Sequence, residues 1–186
     1  VSGIHTDSDG VQSVVGGVKR VWSRFATQDG TGTVGAGEHL ANGDYSTADD
    51  FYVEAQAGEI LLVARMIVSY RDAGVFDAEK YGNAITIADG EGVSLIVEQD
   101  GVEVEDLTGG IPINTNAAWR SRCYDADVWT IGTGDNYLSA RWTFTKHGAP
   151  VRLLAGDKLI ARLHGNFDGL VAQAFLFEGT YGNQLD

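Results

Sequence analysis

The chain has 186 residues, with 26 acidic and 13 basic side chains and a formal net charge of -13. A field of that sign repels phosphate, and the densest basic stretch is the pair Lys19-Arg20, so direct nucleic-acid binding and attachment to anionic lipid are both disfavoured. A domain of this length removes roughly 70% of its unfolded surface from water, so it needs no covalent staple, and its one cysteine, Cys123, cannot form an internal disulfide.

Twenty-five glycines against two prolines suit frequent tight turns. Asp-Gly recurs at 9–10, 29–30, 89–90, 100–101 and 168–169, a pair suited to turns with positive φ. Residues 1–17 are polar and rich in Gly and Ser and read as an N-terminal arm ordered by a neighbour, leaving 18–186 as one domain. Val18–Phe25 reads as the first strand. Residues 28–48, dominated by Gly, Thr, Ala, Asp and Asn, read as a long loop with a contact role.

In the next segment, Phe51 and Val53 alternate with polar neighbours. From Glu59 to Tyr70 a period of two puts Ile60, Leu62, Ala64, Met66, Val68 and Tyr70 on one face, and β-branched residues favour a strand over a helix. This strand is long enough to bend across two sheets. Val93–Gln99 and Val102–Asp106 form a hairpin about Asp100-Gly101. Asn136–Thr145 alternates with Leu138, Ala140, Trp142 and Phe144 inward. Val151–Leu154 and Lys158–Leu163 read as a second hairpin, and Val171–Glu178, with Val171, Gln173, Phe175 and Phe177 on one face, closes the chain. Eight to ten strands without a fixed repeat predict an all-β, two-sheet antiparallel sandwich of jelly-roll type.

The four histidines (His5, His39, His147, His164) fall in no zinc or nucleophile motif, and a non-enzymatic role without cofactor or metal is expected. Asp7-Ser8-Asp9-Gly10 has alternating carboxylates but lacks the remaining ligands of a calcium loop, and reads as a solvated arm. His164, Asn166 and Asp168 lie two apart, so an extended backbone presents them on one side as candidate contacts for a cation or a sugar. A sugar also needs an aromatic platform. Trp22 and Trp142 fall at core positions, which leaves Trp119 and Trp129, flanking the polar segment 120–127, as the candidates for ligand or subunit contact.

Several motifs occur in a telling order. They are Ile113-Asn114-Thr115-Asn116, Cys123-Tyr124-Asp125, the run Leu138-Ser139-Ala140-Arg141-Trp142-Thr143-Phe144-Thr145-Lys146-His147-Gly148, then Leu153-Leu154-Ala155-Gly156-Asp157-Lys158-Leu159 and Asp168-Gly169-Leu170. Over residues 60–180 this pattern resembles small structural proteins in the virions of tailed bacteriophages, especially marine ones. The resemblance implies a jelly roll located in the virion, assembled in the host cytoplasm. It further implies a homotrimer that decorates or cements the major capsid protein or other virion subunits and has no catalytic residue. The chain departs from the pattern just before Leu170, where a more acidic pair is expected than His164-Gly165-Asn166-Phe167-Asp168 provides. The alternative class is a carbohydrate- or receptor-binding sandwich, for example on a phage tail or fibre.

Overall fold

A computed structural model describes residues 3–6, 12–15, 20–27, 40–83, 86–123, 125–131 and 134–182. Twelve strands, a short helix and one 3-10 turn occur among them. The strands are β1 (Gly3–Thr6), β2 (Gln12–Val15), β3 (Val21–Phe25), β4 (Asp44–Glu54), β5 (Leu61–Ala73), β6 (Gly92–Gln99) and β7 (Val102–Asp106), followed by β8 (Asp125–Ile131), β9 (Asp135–Thr143), β10 (Val151–Leu153), β11 (Lys158–Asn166) and β12 (Ala172–Tyr181). The helix α1 (Asn116–Arg122) lies between β7 and β8.

The strands form two packed antiparallel sheets. One runs β3-β12-β5-β9-β8, with β10 also pairing with β5; the other runs β4-β11-β6-β7. Counting only β3, β4, β5, β6, β7, β9, β11 and β12, the first sheet takes strands one, eight, three and six of this series. The second takes two, seven, four and five. That order is the double Greek key of a jelly roll. β1 and β2 pair only with each other, so the segment expected as an arm carries a hairpin outside both sheets.

The alternation read from sequence sets the core on most strands. Leu138, Ala140 and Trp142 of β9 are buried, as are Gln173, Phe175 and Phe177 of β12. The β6–β7 hairpin turns at Asp100 (φ 50) and Gly101 (φ 76), the paired positive φ values of a two-residue turn matched to strand twist.

Four expectations are corrected. β5 bends across no second sheet; its 13 residues pair with β12 on one side and with β9 and β10 in succession on the other. Its facing also changes part-way. Glu178 opposes Arg65 and the next residue, Gly179, opposes Val63, so Ala64 is the extra residue of a bulge. Met66, Val68 and Tyr70 face inward as the period predicts, but before the bulge the buried residues are Leu61 and Val63. Next, Val151–Leu153 and Lys158–Asn166 form no hairpin, because β10 pairs with β5 and β11 with β4 and β6. Residues 154–157 instead carry the chain from one sheet to the other. Buried Asp157 holds this corner, accepting from Leu154 N at 2.9 Å, while its own backbone N–H donates to Leu154 O at 2.9 Å.

The third correction concerns β9, which ends at Thr143. Phe144–His147 is a 3-10 turn that still buries Phe144. Last, the loop expected over 28–48 contains the start of β4 at Asp44; residues 28–39 lie outside the described residues.

On the four-stranded sheet, Arg162 binds Asp50 at 2.7 and 2.9 Å and Glu103 at 3.1 Å, and Lys158 meets Glu98 at 2.9 Å. These pairs cover the buried Ile96 and Ile160. Pairs this exposed contribute little net stability each, so the cover matters more than the charge. On the six-stranded sheet, Phe25, Leu176, Ile67 and Arg141 lie in one register row.

Candidate functional site

Tyr70 and Tyr81 stack at one end of the sandwich, with centroids 4.8 Å apart and planes 20° from parallel. Phe76 stacks on Tyr70, and Phe167 meets Tyr81 edge-on at 5.1 Å. Each phenol needs a partner, because a buried hydroxyl without one costs about 1–3 kcal/mol. Tyr70 donates to Asn116 Oδ1, and Tyr81 donates to Gln173 Oε1. Burial raises both phenols well above their ordinary pKa, so they remain protonated donors.

Asn116 uses its whole amide. Its Oδ1 also accepts from Gly82 N at 3.0 Å, and its Nδ2 donates to Asp77 O and Gly82 O, each at 2.6 Å. The loop ahead of α1 satisfies the backbone donors of that helix as well: Asn116 N reaches Lys80 O at 2.7 Å and Ala117 N reaches Ala78 O at 3.0 Å. Thr115 caps the same end, its hydroxyl accepting from Ala118 N at 3.0 Å. Gln173 ties the segment before β4, with Nε2 donating to Ala41 O at 2.7 Å and its backbone carbonyl accepting from Ala41 N at 2.8 Å. Asp72 accepts from Ala73 N and Asn83 N, both at 2.7 Å. All of these groups bond to one another or to backbone, which makes the network a fixed buttress for the loop 76–83.

The sequence-predicted contact residues separate here. Trp119 is 0% exposed on α1, where its indole N–H approaches the Tyr81 hydroxyl without reaching hydrogen-bond geometry. As a candidate for ligand or subunit contact Trp119 is therefore corrected: a seven-residue helix, unforeseen in the sequence, turns it into the core. The backbone of Trp129 pairs with Tyr137 in β8–β9, and its side chain lies outside the described residues. Burial alternates through His164, Asn166 and Asp168, since Gly165 and Phe167 between them are buried. His164 is half-buried; Asn166 and Asp168 are exposed, and Asn166 Oδ1 accepts from Asp168 N at 2.8 Å. Asn166 thus closes a local turn that directs Phe167 inward against Tyr81, a backbone-shaping role. Asp7-Ser8-Asp9-Gly10 lies outside the described residues, and no group of three or more His, Cys, Asp or Glu suited to a metal occurs among those described.

Cys123 is buried at the end of α1, and desolvation pushes its thiol up to about 12. The reactive thiolate is then scarce at neutral pH. We expect native protein at pH 8 to resist a disulfide-exchange reagent and to release one equivalent of chromophore on unfolding in urea; rapid labelling of the native state would contradict this placement.

A surface cleft of about 650 Å³ opens between the β6–β7 hairpin and the segment from Trp142 to Arg152. Val97 and Leu107 meet Trp142, Phe144 and Val151 across it, and Gln99, Glu105 and Arg152 supply its polar groups. Sequence reading places Trp142 and Phe144 in the core and does not reveal that a cleft exposes their edges, because its two walls are distant in sequence. No family model matches this chain, and no curated protein or solved structure matches it either.

Proposed function

We propose that this protein is a non-enzymatic structural component of a virion, a jelly roll that decorates or cements the capsid lattice as a homotrimer. The observation that carries the reading is the outer face of the six-stranded sheet. Phe25 is 49% and Val21 76% exposed on its edge strand, and Phe25 continues into Leu176 and Ile67 across β12 and β5. Arg65 and Arg71 lie on the same face, paired with Glu178 and Asp135, together with Arg141. In a chain of net charge -13, a face whose apolar row is flanked by arginines that balance its carboxylates is where contact with a neighbouring subunit costs least in repulsion.

The resemblance over residues 60–180 supports the same reading. Several of its motif residues are framework of the sandwich: Trp142, Phe144, Leu153, Asp157, Leu159 and Leu170 are all buried. Cementing acts through buried intersubunit area and needs no convergent polar site.

The test is a reconstruction of particles carrying the protein, paired with the variant Phe25→Asp. We expect density for the jelly roll on the capsid surface with this face against neighbouring subunits, a trimer by native mass spectrometry, and loss of occupancy in the variant without loss of fold. A monomer that binds one glycan class on an array and leaves capsids bare would overturn the proposal.

A further inference from the structure

We propose that the free edge of β7, together with the cleft beside it, binds an extended peptide segment in which apolar and basic residues alternate, added as a fifth strand to the four-stranded sheet. This inference does not use the virion reading. β7 ends its sheet, pairing with β6 alone, and Val102 and Val104 are 62% and 52% exposed. An added strand would run about 4.8 Å from β7 and satisfy that edge's outward backbone groups.

The register fixes what the new side chains would meet. Glu105 pairs with the inward-facing Val97, and Glu103 pairs with the outward-facing Glu98, so Val104 is the extra residue of a bulge. Inward side chains of the added strand would therefore enter the cleft against Trp142 and Phe144, past Glu105 at its rim. Outward side chains would lie beside Glu103 and Asp106, on a face where the carboxylates Asp50, Glu98, Glu103 and Asp106 outnumber the cations Arg162 and Lys158 that pair with three of them. Apolar groups suit the first row and lysine or arginine the second.

The same charges select against other occupants. Two β7 edges from two copies of this chain would set Glu103 and Glu105 against their like, which disfavours pairing with itself. An acidic strand meets the same repulsion. The bulge and the carboxylates guard the edge against indiscriminate pairing while leaving a basic strand admissible.

The probe is a synthetic acetylated peptide alternating lysine with valine, and its counterpart alternating glutamate with valine. With the lysine peptide, we expect amide exchange across Val102–Asp106 to slow at least about tenfold, with no slowing by the glutamate peptide. Glu103→Lys, in the outward row beside the lysines, should weaken lysine-peptide binding by about tenfold with the urea midpoint little changed, because its pair with Arg162 is exposed, and Val104→Lys should act in the same direction. Unprotected β7 amides, equal binding of the two peptides, or variants that bind as the parent does would overturn the proposal.

Discussion

Gly179→Ala is expected to lose about 3–4 kcal/mol of stability, more than most single substitutions cost. The reason is not conformational, because Gly179 lies in β12 outside the left-handed region. A methyl group there would overlap the carbonyl oxygen of Leu62, lie 2.9 Å from the carbonyl carbon and come within 3.0 Å of Trp22 Cζ2. The bulge at Ala64 brings the Leu62 carbonyl close, and Trp22, paired with Gly179 across β3–β12, closes the other side. Neither can retreat cheaply, since Leu62 is held between β12 and β10 and Trp22 is 7% exposed. Gly43→Ala is the control, for its added methyl meets only the Tyr45 ring at 3.4 Å, ordinary contact. Urea unfolding should show a large fall in midpoint for Gly179→Ala and a small change for Gly43→Ala, with similar slopes. Equal midpoints would mean that the bulge relaxes around the methyl.

The bulge also explains why the longest strand is only half legible. Alternation reports facing as long as the count of two is unbroken, and one inserted residue inverts it. Ile60, Leu61, Leu62, Val63 and Ala64 are apolar at every position, so the sequence carries no mark of where the inversion falls. β9 alternates polar and apolar residues from Leu138 to Thr143, and its buried face is as predicted; in β12 Gln173, Phe175 and Phe177 are buried together, whereas Val171, just before the strand and expected on the same face, is 41% exposed. Asp100-Gly101 announces its turn because both residues need positive φ. Ala155-Gly156-Asp157 resembles a turn equally well but changes sheets, a difference set by partners some hundred residues away in β4 and β5.

The candidate contacts were legible in a different measure. Two-residue spacing matches the alternation of buried Gly165 and Phe167 with the more exposed His164, Asn166 and Asp168, even though the β4–β11 register shifts after Leu163 and Gly165 takes a φ of 114. Composition around Trp119 suggested exposure, whereas the cap Thr115 followed by Asn-Ala-Ala, with Arg120 and Arg122 in the last turn, was the available signal of a helix. The cleft beside β7 has no local signal at all.

The second large effect is expected at Asn116, whose replacement by Ala should cost about 3–5 kcal/mol, a sizeable share of a domain's net stability. The cost comes from what is left behind rather than from the lost volume. Tyr70 keeps a buried hydroxyl, Gly82 a buried N–H, and Asp77 and Gly82 their carbonyls, all deprived of the amide that joins them. Tyr70→Phe removes one of those stranded groups in advance and should by itself cost about 1–2 kcal/mol. The double variant should therefore be less unstable than the sum of the two, with a coupling above about 0.5 kcal/mol, because the phenol and the amide act in one network. Hydrogen exchange in Asn116→Ala should rise first across residues 77–83, where the amide pins the loop, and only later in β5 and β12. Additive losses, or uniform exchange across the sheet, would show that the loop is held by the Tyr81–Gln173 tie and Asp72 instead.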